Sequence, residues 1–564
     1  VRIPPLSGCP GQFLENKLPG PLHRKDELFE GVQKLWHTFL VLNQKRKPIE
    51  RDFIVDHPHF RHLTHGIWKM APVFSPGALV RTLEVFVHLK LNQKSKLIQS
   101  LLLLCQENLS SLNEEEIVIL ANALEYLRSD RNVDLLKSGL RLLMAVKIEV
   151  VNEVTPLLTM MKVLGRNAPL KIRLKLEDKA LQMVDKFNIA QSKNLFCVLA
   201  DIDFYSEHLL NACSQKLIDG IDELSYTNII SILSCCCEME YSNERLMTIV
   251  GDQILKTICL WKPWQLALIL QYFTYLRFRH TLLLDRYAAI FTNNLNSVKL
   301  RDLLEAVKIY SMLNHLPEDK TQQFLEAVNT SLEAHLDSIP PRNLLFTVFN
   351  LCILGVYPDF AINKLLQYKN ILTHKEHPIL AHINVCLMID GSFLNRQSLL
   401  GMKKIPATTC EDIRNFHIEM ENFINDPDLY YHSVKIANTY YIDFILALDT
   451  QENKLVPVGD MHADSLQITD SSENIVRIAV LCCTPNAFAM GTLHPLGKLA
   501  LKIRNLKSLG FSVVLVPMHR MMRMTEEKRV EFMKTIIFEE LSDDPNALEC
   551  RWAKEELQQS PQDT

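Results

Sequence analysis

The chain has 564 residues, 48% of which are apolar, and a formal net charge of −4. This length and apolar content exclude a small module stapled by disulfides and favour several units with a continuous core. The slightly acidic balance excludes a general attraction of the whole chain to nucleic acid or anionic lipid, so a polyanion site requires a local cluster of cations.

Cysteine usage and hydropathy indicate the compartment of the protein and whether it inserts into a membrane. The fourteen cysteines are scattered along the chain and several fall inside helical segments, which is typical of reduced thiols in a reducing compartment. No apolar run approaches the roughly 18 residues that a membrane-spanning helix needs. Even residues 135–151 are interrupted by charged side chains, so we predict no membrane insertion.

The N-terminal region is predicted to be an irregular arm followed by helices. Its first twenty residues contain four prolines and three glycines and lack the apolar core of a secretory signal, which is compatible with either a processed or a truncated start at Val1. Four histidines then crowd between His57 and His65. Because Pro58 breaks the local helix and no cysteine pair lies near, we predict no metal site there.

The central region is dominated by a repeated apolar step of i, i+3, i+7, i+10, which describes one face of a helix about three turns long. Each copy is followed by a short polar break and a second amphipathic segment. Pairs of helices of this length cannot bury their apolar faces alone, so we predict an α-solenoid of two-helix repeats of about 37 residues. The seven secure copies begin at Ile117, Val154, Leu195, Ile229, Leu266, Leu303 and Leu344, and a further copy is indicated at Val80.

Past about residue 375 the helical step weakens, and past residue 439 the apolar pattern becomes that of strands. A strand, helix, strand, helix order indicates a small α/β domain behind the solenoid. The predicted elements are a hairpin of Tyr440–Leu448 with Leu455–Val458, buried strands at Ile475–Cys483 and Phe511–Pro517, a helix over Pro495–Ser508 with proline in its first turn and Gly510 past its end, and a final helix opened by Thr525.

These patterns divide the chain into five predicted regions. They are an N-terminal arm with helices at 1–75, the helical-repeat solenoid at 76–372, a connecting helical region at 373–438, the α/β domain at 439–545, and a flexible acidic tail at 546–564.

One stretch near the C-terminus is strongly basic. Between Pro495 and Met524 there is no Asp or Glu, and Lys498 and Lys502 stand four residues apart on one predicted helix face. Such a face can pair with phosphates, which supplies affinity and salt dependence without reading sequence. The predicted contacts are Lys498, Lys502, Arg504, Lys507, Arg520 and Arg523. A solvated surface that contacts nothing is the alternative interpretation.

A second cationic candidate lies inside the repeats. Arg277 and Arg279 flank Phe278, and solenoids present polar side chains along a wall where they can address successive bases. The polar residues of the repeats form no recognisable code, so no base-reading position is predicted.

The C-terminal segment resembles the RAP domain. The resemblance rests on Ile478-Ala479-Val480 leading to Pro485, on Leu496-Gly497-Lys498 leading to Leu506, and on Leu509-Gly510-Phe511 leading to Pro517. RAP domains end the FAST kinase domain-containing proteins, and Leu266–Leu366 resembles the first helical region of that family. The stretch from about 380 to 460 lies where the family has its second helical region.

This resemblance implies a mitochondrial protein, in the matrix, that acts in the stability, processing or translation of mitochondrial transcripts. Single-stranded mitochondrial RNA is the implied partner, together with other RNA-processing proteins. The chain has no Gly-rich loop after a strand, no His-Arg-Asp triplet and no Asp-Phe-Gly, so no phosphoryl transfer is predicted.

The resemblance also implies a restriction-endonuclease-like core, in which metal-dependent cleavage needs two carboxylates around a divalent ion. Asp443 is the first acid in such a reading, but the matching positions on the next strand are Leu481, Cys482 and Cys483. Without a second oxygen ligand a Mg²⁺ site is poorly formed. We therefore predict RNA binding without intrinsic catalysis and without a cofactor. An RNA endonuclease that uses Asp443 and a protein-interaction scaffold remain the alternatives.

Overall fold

A computed structural model describes residues 28–34, 37, 55, 58–165, 168–294, 298–368, 377–390, 411–436, 439–458 and 474–538. The predicted tail at 546–564 and most of the predicted N-terminal arm lie outside these residues. The chain forms two compact units, residues 1–239 and residues 240–564, and each is described by itself.

The first unit is built from antiparallel helix pairs. The first helix of each repeat packs side by side with the first helix of the next, and most of the second helices also contact the next second helix, as stacking of repeats requires. Its helices are α1 (Pro58–Met70), α2 (Pro76–His88), α3 (Lys96–Glu107), α4 (Glu114–Glu125), α5 (Arg131–Lys147), α6 (Val154–Leu164), α7 (Leu170–Gln182), α8 (Ile189–Asp201), α9 (Glu207–Asp219) and α10 (Tyr226–Glu238).

The second unit begins with the same arrangement. Here α12, α14, α16 and α18 pack in succession, while α11, α13, α15 and α17 form the other layer. The bounds are α11 (Glu244–Lys256), α12 (Pro263–Tyr275), α13 (Thr281–Asn293), α14 (Leu300–Met312), α15 (Thr321–His335), α16 (Pro341–Leu354), α17 (Asp359–Gln367), α18 (His377–Asp390) and α19 (Glu411–Ile424). Every predicted apolar step lies on a helix of this kind, so the repeat prediction is confirmed.

Local sequence explains where these helices begin. Asn113 and Asn188 start α4 and α8 with capping boxes. In each, the asparagine side chain accepts a hydrogen bond from the backbone N–H three residues later, and the Glu or Gln side chain of that later residue accepts one from the asparagine N–H. Ser206 and Asn243 cap second-layer helices by accepting from the backbone N–H three residues later.

The first-layer helices end in a shared turn. A left-handed residue follows the last helical turn at Asp203, Glu240, Arg277 and Asn314, spaced 37 residues apart, and at Gly355 after α16. The next backbone N–H then bonds back to a carbonyl five residues earlier, as Phe278 does to Phe273 at 2.8 Å and His315 to Tyr310 at 3.0 Å. This is the Schellman termination, here formed mostly by residues other than glycine.

The C-terminal part of the second unit contains a five-stranded sheet of order β1-β2-β4-β5, in which β3 pairs with the C-terminal end of β2. The strands are β1 (Tyr430–Ile436), β2 (Tyr440–Asp449), β3 (Lys454–Val456), β4 (Ile475–Cys483) and β5 (Phe511–Pro517). Only β4 and β5 are parallel, and α20 (Gly497–Ser508) connects them. The short α21 (Met518–Met521) and α22 (Glu526–Phe538) follow.

Apolar side chains cover both faces of this sheet. Phe416 and Met420 of α19 and Met533 of α22 pack on one face, while Val385 of α18 and Leu506 of α20 pack on the other. A sheet with a parallel pair buried on both faces explains the continuous apolar run of β4.

Two local predictions differ from the structure. Strand β1 lies in the stretch predicted to be helical, because it is an edge strand with no buried residue and its apolar pattern is weak. Helix α20 begins at Gly497 rather than Pro495, because Pro495 is held in an extended bridge with Phe488.

Gly497 brings α20 into direct contact with the repeats. A Cβ at this position would overlap the carbonyl oxygen of Ser311 on α14 and lie 2.9 Å from Cγ2 of Ile353 on α16. A close approach of backbones of this kind admits only glycine.

We therefore expect Gly497→Ala to lower the free energy of unfolding by about 1–3 kcal/mol or more, because a rigid carbonyl cannot move aside. Denaturant unfolding measures this. The matched control is Gly139→Ala in α5, whose added Cβ would meet only the end of the flexible Leu109 side chain at 2.8 Å. If both variants change the free energy of unfolding by the same amount, the close contact with the Ser311 carbonyl does not determine the effect.

Candidate nucleic-acid interface

Arg504, predicted to contact phosphate, instead caps a helix. Its Nη1 donates to the carbonyl of Ile353 at 2.8 Å, and its Nη2 donates to the carbonyl of Cys352 and to the Tyr357 hydroxyl at 3.4 Å. These carbonyls end α16, where orphan acceptors and the negative end of the helix dipole favour a cation. The left-handed Gly355 leaves the space that the guanidinium fills.

The segment before α20 also forms hydrogen bonds with the C-terminal turns of the preceding first-layer helices. The Met490 N–H donates to the carbonyl of Arg277 at 2.8 Å, and the Arg277 side chain donates to Asn486. At the next turn, the Asn314 amide donates to the carbonyl of Pro495 at 3.2 Å. The RAP-like domain is thus docked on the C-terminal turns of α12, α14 and α16.

Arg279 is also engaged within the repeats. Its Nη2 lies 2.9 Å from Nδ1 of His315, and Nε2 of His315 lies 2.7 Å from Oδ1 of Asp285. His315 is buried, and burial lowers the pKa of its imidazole, with Arg279 acting in the same direction and Asp285 opposing. Arg277 and Arg279, the predicted RNA contacts of the repeats, therefore take part in docking and packing.

The predicted basic stretch does not form one surface. Because α20 is packed between the sheet and the repeats, Lys502 is half-buried and interacts electrostatically with Asp443, Cys482 and Cys483. Burial lowers the pKa of the Lys502 ammonium, and Asp443 opposes that shift. Lys498, Lys507 and Arg523 are exposed and Arg520 is half-buried.

Lys498 lines a cavity of about 640 Å³ between α14, α16, α18 and α20. Its wall combines apolar surface with amides and cations rather than a uniform charge. The lining residues that bear on ligand chemistry are Glu305, Lys308, Asn343, Phe346, Asn350 and Lys498. We call this cavity the helix-sheet cleft.

Cations and exposed aromatic rings alternate across the neighbouring helices. The Lys308 ammonium lies 5.3 Å from the ring centroid of Tyr275, which is 58% exposed. The Arg342 guanidinium lies 5.8 Å from the ring of Phe346, which is 39% exposed. Exposed rings stack on bases and nearby cations pair with phosphates, which is the chemistry of single-strand binding. Glu305, whose carboxylate lies 4.0 Å from Lys308, offsets part of that charge.

Asp443 occupies a separate buried cluster. Its carboxylate is 4% exposed, accepts a hydrogen bond from the Cys482 N–H at 2.8 Å through Oδ2, and places Oδ1 3.3 Å from Nε2 of His417. The ligand atoms of His417, Asp443 and Cys482 all lie within 4.8 Å of one another. Burial and the adjacent Asp443 raise the pKa of the Cys482 thiol.

Asp443 and Lys498 are among the residues predicted from the sequence, whereas their neighbours in the structure are not. His417 lies on α19, which is far along the chain from β4, and Lys308 and Phe346 are solvent-facing residues of helices whose apolar faces were the only signal. Among the described residues, the Asp443 cluster offers one carboxylate with a nitrogen and a sulfur, which differs from the oxygen-rich set that Mg²⁺ needs.

Two regions of the chain match described protein families. Residues 281–372 match the FAST kinase-like protein, subdomain 1, and residues 480–536 match the RAP domain. The first match covers α13 to α17 and the second runs from β4 to α22. The predicted resemblance to the first helical region of the family and to the RAP domain is confirmed.

Similarity to known proteins extends over most of the chain. Human FAST kinase domain-containing protein 2, mitochondrial, is 29% identical over 514 residues, which covers 89% of this chain and 71% of that protein. The Mus musculus protein of the same name is 28% identical, covering 89% and 73%. FAST kinase domain-containing protein 4 of Rattus norvegicus is 23% identical, covering 89% and 83%. The predicted mitochondrial location agrees with the first two names.

Over the part of the chain that the structure describes, no helix has both the length and the apolar character needed to cross a bilayer.

The capping role of Arg504 leads to a stability prediction. We expect Arg504→Met to lower the free energy of unfolding by about 1.5–3 kcal/mol, because the methionine keeps the apolar stem but leaves the α16 carbonyls without their charged donor. Chemical denaturation measures the change. Lys507→Met, on the exposed side of the same helix, is the control and should stay within about 0.5 kcal/mol of the parent. Equal stability of the two variants would contradict the capping role.

Proposed function

Since the chain is a relative of the FAST kinase domain-containing proteins and carries a RAP domain, we propose that it is a mitochondrial RNA-binding protein that regulates the stability, processing or translation of mitochondrial transcripts without catalysis of its own. The mitochondrial names of its relatives support the location. The RNA-binding role rests on the RAP domain and on the helix-sheet cleft.

The observation that carries the proposal is the alternation of cations and exposed rings at the cleft. Tyr275, Lys308 and Phe346 lie on three first-layer helices in succession, and Lys498 of α20 faces the same space. A single strand that crosses these helices meets a stacking surface and a phosphate partner at each step. A duplex offers no exposed base faces, so the cleft favours single-stranded RNA.

The amides of the cleft suit base edges. Asn343 and Asn350 of α16 carry donors and acceptors at positions that line the cavity, and the Glu305 carboxylate accepts from exocyclic amino groups. Phosphate pairing by Lys308 and Lys498 supplies affinity, and these polar groups supply a preference among bases. The transcript itself is not specified by this chemistry.

We expect Lys308→Ala and Lys498→Ala each to weaken RNA binding and to reduce the slope of log K against log salt by about 0.7, because each lysine neutralises one phosphate of a single strand. Fluorescence anisotropy with a labelled oligonucleotide at several salt concentrations measures both quantities. Lys299→Ala is the matched control, since Lys299 is an exposed lysine at the start of the same helix as Lys308 but is not among the cleft residues.

Phe346→Ala tests the stacking contribution separately. We expect a loss of about 1–3 kcal/mol in binding free energy with an unchanged salt slope, because a ring contributes no charge. An unchanged affinity in Lys308→Ala, Lys498→Ala and Phe346→Ala would remove the helix-sheet cleft as the binding site.

Asp443 provides the test of the nuclease alternative. We expect the wild-type chain with Mg²⁺ to leave a labelled RNA as intact as the Asp443→Asn variant does, because one buried carboxylate is a poor Mg²⁺ ligand set. Gel analysis of the RNA over time is the measurement. Mg²⁺-dependent cleavage by the wild type that is lost in Asp443→Asn would establish an enzyme instead.

A further inference from the structure

Three potential metal ligands converge from separate elements of the RAP-like domain. His417 comes from α19, Asp443 from β2 and Cys482 from the end of β4, and their ligand atoms all lie within 4.8 Å of one another. Asp443 and His417 are buried, and Cys482 is half-buried. A carboxylate in an otherwise apolar strand carries a desolvation penalty, so its burial requires compensating partners.

The spacing of the His417 and Asp443 ligand atoms fits a tetrahedral centre. With metal–nitrogen and metal–oxygen distances of about 2.0–2.1 Å, neighbouring ligands of a tetrahedron lie about 3.3–3.4 Å apart. Nε2 of His417 and Oδ1 of Asp443 are 3.3 Å apart, which is longer than the usual hydrogen bond of about 2.9 Å. The pair is therefore spaced better for sharing a metal ion than for a direct bond.

We propose that His417, Asp443 and Cys482 bind one divalent transition-metal ion, of which Zn²⁺ fits the donor set best. One imidazole nitrogen, one carboxylate oxygen and one thiolate are ligands typical of zinc, whereas Mg²⁺ and Ca²⁺ take oxygen. On binding, the Cys482 thiol releases its proton to solvent and its sulfur bonds to the metal. Three protein ligands leave a fourth position for water.

The surroundings support this assignment. The Cys482 N–H holds Oδ2 of Asp443 at 2.8 Å, which orients the carboxylate and leaves Oδ1 directed towards His417, as partners of a metal ligand commonly do. The cluster also lies at the carboxyl end of β4, beside its parallel neighbour β5, and this edge is where α/β sheets place their ligands. The inference is independent of the proposed RNA binding.

The charge of Lys502 is expected to weaken metal binding at this cluster. Its ammonium interacts electrostatically with Asp443, Cys482 and Cys483, so it compensates the carboxylate when no metal is bound and repels a cation that enters. Lys502→Met removes that repulsion while keeping the apolar stem. A tighter metal site on removal of a lysine is not expected if the cluster is only a hydrogen-bonded part of the core.

The experiment uses the full chain, stripped with a chelator and titrated with Zn²⁺ alone or Co²⁺ alone. We expect one equivalent of Zn²⁺ to bind and to raise the thermal unfolding temperature, and Co²⁺ to give the thiolate charge-transfer absorption and intense visible bands of a tetrahedral site. Cys482→Ser should abolish the charge-transfer absorption and weaken Zn²⁺ binding by more than about 100-fold. Lys502→Met should tighten it roughly tenfold or more.

Cys483→Ser is the matched control, because the Cys483 thiol is adjacent and buried but donates to the Leu481 carbonyl at 3.4 Å. It should keep the charge-transfer absorption. Absence of stoichiometric Zn²⁺ binding in the wild type would overturn the proposal, as would equal loss in Cys482→Ser and Cys483→Ser. If Cys482→Ser does not fold, the Lys502→Met titration decides, and unchanged or weaker binding there would also overturn it.

Discussion

The second unit depends on how the carbonyl ends of its first-layer helices are satisfied. Each helix leaves acceptors without partners within the helix, and the Schellman turn satisfies only some of them. The RAP-like domain contacts three consecutive turns and supplies donors at two of them, through the Met490 N–H on the Arg277 carbonyl and the Arg504 guanidinium on the end of α16. At the turn between these two, the Asn314 amide donates to the Pro495 carbonyl. These bonds are directional and repeat-specific, so they fix the position of α20 against α14 and α16.

This docking also creates the proposed binding site. Because Gly497 allows α20 to approach the backbone of α14, Lys498 one residue later faces the space above α14, α16 and α18. Neither the repeats nor α20 alone encloses that space. Arg504 binds the carbonyl end of α16, and Lys502 interacts with the Asp443 cluster. The basic stretch therefore divides into residues that hold the domain in place and residues that face a ligand.

Local patterns in the sequence predicted the elements well but not their meeting points. The apolar steps at Leu266 and Leu344 are properties of single helices, and the run of Ile475–Cys483 is a property of one strand, so each could be recognised alone. The role of Arg504 depends on carbonyls about 150 residues earlier, and His417 meets Cys482 only after β2 has paired with β4. Strand β1 was missed because an exposed edge leaves little apolar alternation.

The left-handed turns differ in one instructive way. Arg277 and Asn314 carry side chains that reach towards the RAP-like domain, whereas at Gly355 the position that a Cβ would take lies 3.4 Å from the Arg504 guanidinium. The residue at each left-handed position therefore suits the part of the RAP-like domain that contacts that turn. Repeat arrays usually tolerate gain or loss of a whole unit, but between residues 277 and 355 such a change would shift every turn out of register with its partner. This portion of the array has consequently lost its modularity and is constrained to a fixed number of repeats.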